Sequence, residues 1–198
     1  MRVICGIGNP GSRYLFNRHN VGFMFLDYFA SEHLLSFTPS KNDYYVGEGK
    51  IQNENYSLIK PTTYVNNTGL AAAMAVQNYK TDISDFLLIY DDLNLEFPNI
   101  RVRVSGGDGG HNGVNSVIYH LSSEDFPRLR FGIGNNFEKG KMADYVLTNF
   151  NDDEIKRLEE SFKTALYLTE EFIKGGIKNL LDSNSALMKN NKDKDEPE

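Results

Sequence analysis

Residues 106 to 113 run GGDGGHNG, so five of eight positions are glycine and a histidine and an asparagine stand where the run closes. Glycine loses more conformational freedom on folding than any other residue, so such a run needs a reason. One reason is a ligand that comes close to the backbone, whose free N–H groups can then face anionic oxygen. His111 sits in this run, and His19 sits in a second polar, glycine-rich connection before a helix. Reactive side chains concentrate on loops held by a rigid scaffold, although a residue in either place can equally cap its helix. The other two histidines are plainer: His33 follows Glu32 inside a predicted helix, and His120 precedes Leu121 near the end of a short one. Both are read as surface or half-buried side chains.

Further polar groups stand at the ends of predicted strands: Asn9 after RVICGIG, Asn66 in KPTTYVNNTG, Asp91 and Asp92 at the end of FLLIYDD, and Asn112 beside His111. In an α/β sheet the crevice beyond the strand ends is the usual ligand site, so these residues can converge there. Their chemistry is that of base-activated water attacking an ester or amide carbonyl. A histidine takes the proton, an aspartate orients the imidazole, and amides with the N–H groups of Gly109 and Gly110 stabilise the oxyanion. No strong nucleophile stands among them. No histidine pair has the i, i+4 ligand spacing of a zinc helix, and the single cysteine, Cys5, excludes a Cys-based zinc cluster. Neither a metal nor a cofactor is expected. Arg101 and Arg103 share one face of an alternating strand that leads into the glycine run, with Arg128, Arg130 and Lys141 following. They are either solvated strand charges or a phosphate patch, for which the guanidinium fork is suited.

The elements that must position these groups alternate between strand and helix. Strands are predicted over 2–8, 44–51, 56–61, 86–92, 99–105 and 128–134, and helices from Asn20, through 69–80, over 114–121 and over 152–174. Asn151 is the expected N-cap of the last helix and Gly175 its stop. The fold class is α/β: one domain over 1–183, a twisted mixed β-sheet flanked by helices, followed by a flexible polar tail over 184–198.

At 198 residues with 40% hydrophobic and 24% charged residues, the chain suits a soluble domain with a substantial core. It shows no bilayer-length apolar run and no signal pattern, and one cysteine fits a reducing cytoplasm. A net charge of -6 argues against a general nucleic-acid coating protein but leaves room for a local basic patch. GIGNPG (6–11) formally matches a dinucleotide-binding glycine motif. The residues after it lack helical spacing, and the acidic residue expected at the end of a second strand is missing, so nicotinamide binding is set aside.

Taken together, GIGNPGSRYLFNRHNVGF, KPTTYVNNTG, DDLNL with SGGDGGHNGVNS, and FPRLRFGIG resemble the signature stretches of bacterial-type peptidyl-tRNA hydrolases, in that family's order and at nearly its spacing. The resemblance spans most of residues 1 to 150. It implies hydrolysis of the ester between a peptide and the 3′ end of tRNA, which recycles tRNA from peptides dropped by stalled ribosomes. It also implies a cytoplasmic monomer. His19 matches the family's catalytic base, Asp91 the aspartate that orients it, and Asn9 the asparagine that tells blocked from free aminoacyl ends. Asn66 and Asn112 match amides that hold the peptide backbone and terminal ribose, and Tyr14 and Tyr64 match residues lining the path of substrate. Arg103 and Arg130 match positions that grip the tRNA 5′ phosphate, and Lys141 a further basic contact. His111 would be a supporting member of the crevice. Val65 and Asp108 depart from the usual methionine and histidine, which bears on affinity more than on chemistry. The alternative is a non-cleaving RNA-binding relative on the same fold.

Overall fold

The first strand, β1 (Arg2–Gly6), is buried on both faces, and its side chains sort by strand alternation. Val3 and Cys5 join one apolar cluster, while Ile4 joins another on the opposite face. In the computed structural model, which describes residues 1–195, β1 lies at the middle of the sheet. The other strands are β2 (Thr38–Pro39), β3 (Tyr44–Ile51), β4 (Glu54–Pro61), β5 (Phe86–Asp92), β6 (Ile100–Arg103) and β7 (Arg128–Gly132). Among the described residues they form one seven-stranded sheet in the order β2-β3-β4-β1-β5-β7-β6. β1 runs parallel to β4 and β5, and β5 parallel to β7, while β2, β3 and β6 add antiparallel edges. The sheet is mixed, as the alternation of elements predicts.

Two helices cover each face. α1 (Val21–Glu32) and α5 (Asp152–Asp195) bury Phe25, Phe29, Phe162 and Phe172 against Ile4, Leu87, Ile89 and Phe131. On the other face, α2 (Thr68–Tyr79) brings Ala71, Ala72 and Ala75 beside Leu88 and Ile59, while α3 (Asn112–Leu121) adds Val114 and Val117. Small residues let α2 and α3 lie close: a Cβ at Gly69 would collide with the Ser116 carbonyl. A short helix, α4 (Met142–Val146), lies in a stretch without clear periodicity and is not predicted from the sequence.

The structure differs from the sequence reading at the C-terminus. The backbone breaks at Gly175 (φ -143°) and Gly176 (φ 64°), where a stop is expected, but a helix resumes and continues to Asp195. The polar stretch from Asn184 is therefore helical as far as it is described, and residues 196–198 of the expected tail lie outside the described residues. Leu180 is fully buried, and Ile177 and Leu187 pack against the α1–α5 cluster. Their spacing is a helical stripe that a polar composition conceals.

Candidate active site

The parallel strands β1, β4, β5 and β7 end on one side of the sheet, and the polar connections after them, with the glycine loop between β6 and α3, enclose a cavity of about 530 Å³. Asn9, His19, Asn66, Asp91, Gly109, Gly110, His111, Asn112 and Arg130 all line it. At its centre lies Asp91, the penultimate residue of β5, which is 2% exposed. Its Oδ1 lies 2.9 Å from His19 Nδ1 and 3.0 Å from His111 Nε2. The imidazole centroids are 4.8 Å apart.

The hydrogen bonds assign the tautomers. His111 Nδ1 accepts from the backbone N–H groups of Gly113 (3.1 Å) and Val114 (3.2 Å), so the ring proton belongs on Nε2 and is donated to Asp91. Protonating Nδ1 would sacrifice both cap hydrogen bonds at the start of α3. The capping alternative thus holds for His111, whereas His19 caps no helix. His19 donates from Nδ1 to Asp91 and keeps a lone pair on Nε2. Burial by itself lowers the His19 pKa, but the charge and hydrogen bond of Asp91 outweigh it and leave the group above the ordinary histidine value. Burial likewise opposes ionisation of Asp91, and the two imidazoles overcome this to hold its carboxyl well below the usual carboxylate range.

The donor atoms of His19, Asp91 and His111 all lie within 4.8 Å of one another, a cluster that could hold a metal ion. Its chemistry does not fit one, because the His111 atom facing Asp91 carries a proton and its other nitrogen caps α3.

Asn9 is fixed from three directions. Its N–H donates to Asn20 Oδ1 (2.9 Å), its carbonyl accepts from Asn20 Nδ2 (2.9 Å), and its own Oδ1 accepts from the Val65 N–H (3.1 Å). The side-chain NH₂ of Asn9 is thereby left as the free donor, and the turn bearing Asn66 is tied down beside it. Asn20 is a positioning residue that the sequence reading treats only as a helix start. Arg18 secures the His19 turn by a bidentate bond to Glu154 (2.8 and 2.9 Å).

Four sequence candidates, Tyr14, Tyr64, Arg103 and Lys141, sit outside the cavity wall. Tyr14 and Tyr64 form an edge-to-face pair with centroids 6.4 Å apart beside the His19 turn, and Tyr64 is 53% exposed. Arg103 stands on the edge strand β6, opposite Arg128 on β7, as Arg101 stands opposite Arg130. Like charges directly across a ladder oppose pairing. Lys141 is exposed and pairs with Asp144, next to cavity residues Met142 and Ala143. Sequence reasoning misses the lining residues Leu93 and Asn94 after β5, and Asn135, Phe137, Val146 and Leu147, which lie in a stretch after β7 with no period that marks a face. His33 stacks on Phe29 and His120 bonds the Ser116 carbonyl, both away from the cavity.

Comparison with known proteins bears on this arrangement directly. The profile of the peptidyl-tRNA hydrolase family matches residues 3–194. The chain belongs to that family. It is 40% identical over 177 residues to a peptidyl-tRNA hydrolase of Lachnospira eligens, covering 89% of this chain and 95% of the relative. It is 41% identical over 181 residues to that of Thermoanaerobacter pseudethanolicus, covering 91% and 97%. The crystal structure of peptidyl-tRNA hydrolase from Acinetobacter baumannii superposes with a TM-score of 0.86 at 29% identity, covering 92% of this chain and 93% of the other. The family resemblance and the α/β fold expected from the sequence both stand. No helix among the described residues is long and apolar enough to cross a membrane.

Proposed function

We propose that this chain hydrolyses the ester joining a peptide, or an N-blocked amino acid, to the 3′ end of tRNA, and so returns tRNA from peptides dropped by stalled ribosomes. The observation that carries the mechanism is the 2.9 Å contact of His19 Nδ1 with buried Asp91, which leaves Nε2 as the base. His19 Nε2 takes a proton from water while the water oxygen adds to the ester carbonyl. Asp91 stabilises the imidazolium that forms, in keeping with the raised His19 pKa. The tetrahedral oxyanion is held by the Asn9 NH₂ and by N–H groups of the glycine loop. Collapse expels the ribose 3′ oxygen, which recovers the proton from His19, giving a peptide carboxylate and a free tRNA 3′ hydroxyl. Asn66 and Asn112 hold the peptide backbone and terminal ribose, with Tyr14 and Tyr64 along the approach.

Open space supports a close approach of substrate: a Cβ at Gly107, Gly109 or Gly110 would meet nothing within 4 Å. Gly109 (φ 60°) and Gly110 (φ 84°) also need glycine for the backbone itself. Arg103 and Arg130 grip the 5′ phosphate, Arg130 while paired to Asp92 at 2.8 Å, with Lys141 at the rim. The reading is of a cytoplasmic monomer that needs no cofactor.

The test is release of N-acetyl-aminoacyl groups from charged tRNA, beside the unblocked aminoacyl-tRNA and a His19→Ala control. Cleavage of only the blocked substrate, abolished in the control with tRNA binding retained, is the expected result. Salt-sensitive tRNA binding without cleavage would instead identify a non-cleaving RNA-binding relative.

A further inference from the structure

Arg128 is the largest of the fully buried side chains of the described residues, at 2% exposed. Its neighbours along β7, Leu129 and Phe131, face the α1–α5 cluster, and Arg128 points to the opposite face, where Leu88 and Phe126 lie. The guanidinium sits 4.4 Å over the Phe126 ring and has no carboxylate partner among the described residues. Its Nε is buried without a hydrogen-bond partner. A buried, unpaired cation is costly, and an aliphatic residue would extend the surrounding cluster at less expense.

The contacts of Arg128 supply the reason for retaining it. Nη1 donates to the Gly107 carbonyl at 2.7 Å and Nη2 to the Glu124 carbonyl at 3.2 Å. The Glu124 carbonyl also accepts from the Gly106 N–H, so one guanidinium bridges the glycine loop and the segment leading into β7. The loop cannot be fixed by packing, because the Cβ positions of its glycines lie in open space. Hydrogen bonds hold it: the one from Arg128 to the Gly107 carbonyl, that of the Gly106 N–H to the Glu124 carbonyl, that of the His111 N–H to the Asp108 carbonyl, and those that the Asp108 carboxylate accepts from the Gly110 N–H (2.6 Å) and Asn115 (2.8 Å). Asp108 secures the end nearest α3, and Arg128 the end nearest the sheet.

We propose that Arg128 is a positioning residue, whose buried guanidinium sets the height of the Gly106–Gly110 loop over the sheet and so the placement of the loop's N–H groups against the substrate. Its kinetic arm rests on the hydrolase reading above. The structural arm does not.

The experiment compares the full chain with Arg128→Met, which keeps length but removes charge and donors, and Arg128→Lys, which can reach only one of the two carbonyls. Amide hydrogen exchange is measured without substrate, and kcat and KM with N-acetyl-aminoacyl-tRNA. In Arg128→Met, exchange at Gly106–Gly110 is expected to quicken about tenfold or more while β1 and β4 amides stay protected, matching the loss of a charge-assisted bond. KM rises about tenfold with kcat changed by less than about threefold, and Arg128→Lys falls between the two. The slope of affinity against salt stays at its original value, because Arg128 is buried and offers no surface charge to a phosphate. Unaltered loop exchange in Arg128→Met overturns the proposal, as does acceleration spread evenly over the sheet. Should the methionine variant fail to fold, wild-type loop exchange in Arg128→Lys overturns it as well. If the unmodified protein cleaves nothing, the hydrolase reading fails while the exchange result still decides the loop assignment.

Discussion

Asp91 serves two imidazoles through a single carboxylate oxygen, and the partners are not equivalent. The α3 cap occupies His111 Nδ1 with two backbone N–H groups, whereas His19 Nε2 is left with an open lone pair. Asp91→Asn should therefore do two separable things. It removes the influence that raises the His19 pKa and leaves the burial that lowers it, so the acidic limb of the pH–rate profile moves to lower pH. It also loses the tautomer constraint, and kcat falls by about a hundredfold or more. A profile whose inflection stays in place would remove Asp91 from this role. The same pair carries a pH-dependent share of stability. Asp91 is depressed on folding, so its contribution is complete above its unfolded pKa of about 4 and fades as pH falls below it. His19 is raised, so its contribution is complete below about 6.5 and fades as pH climbs through the folded value. Wild type and Asp91→Asn should differ most in melting temperature between those limits.

At the scale of elements, the start of α5 does more than begin a helix. Asn151 Oδ1 accepts from the Glu154 N–H and Glu154 Oε2 accepts from the Asn151 N–H, both at 2.9 Å, a reciprocal cap that the sequence reading anticipates only at Asn151. Glu154 also receives both bonds from Arg18, which packs over Tyr145 and Phe150. The helix cap and the turn bearing His19 thus share one carboxylate. Asn151→Ala should cost about 1 kcal/mol of stability and leave kcat near its original value. Glu154→Ala should cost about 3 kcal/mol, since it leaves the buried Arg18 without its carboxylate, and should lower kcat because Arg18 adjoins His19. Urea unfolding together with single-turnover kinetics checks both. Equal losses of kcat in the two variants would mean that α5 acts on the site only through global stability.

Over the whole molecule, a net charge of -6 coexists with four arginines facing one another across β6 and β7. Local field, and not net charge, governs association with a polyanion. Arg103→Ala should weaken a tRNA substrate more than a short ester analogue lacking the 5′ phosphate, and reduce the slope of log affinity against log salt by about one. Equal loss on both substrates would remove the phosphate assignment. Much of this organisation is legible in the residue order. A continuous apolar run marks β5 at its observed limits, because burial on both faces leaves a local pattern. The catalytic candidates stand out because His19, Asp91 and His111 lie at element ends, where polar groups have no packing to serve. The sequence by itself thus determines the elements and which polar groups are left over at their ends. Only the tertiary structure decides that one oxygen of Asp91 meets both histidines, that Asn20 clamps Asn9, and that Arg128 lies beneath the glycine loop. Each of those contacts joins segments distant along the chain, and local periodicity carries no record of how the strands are ordered across the sheet.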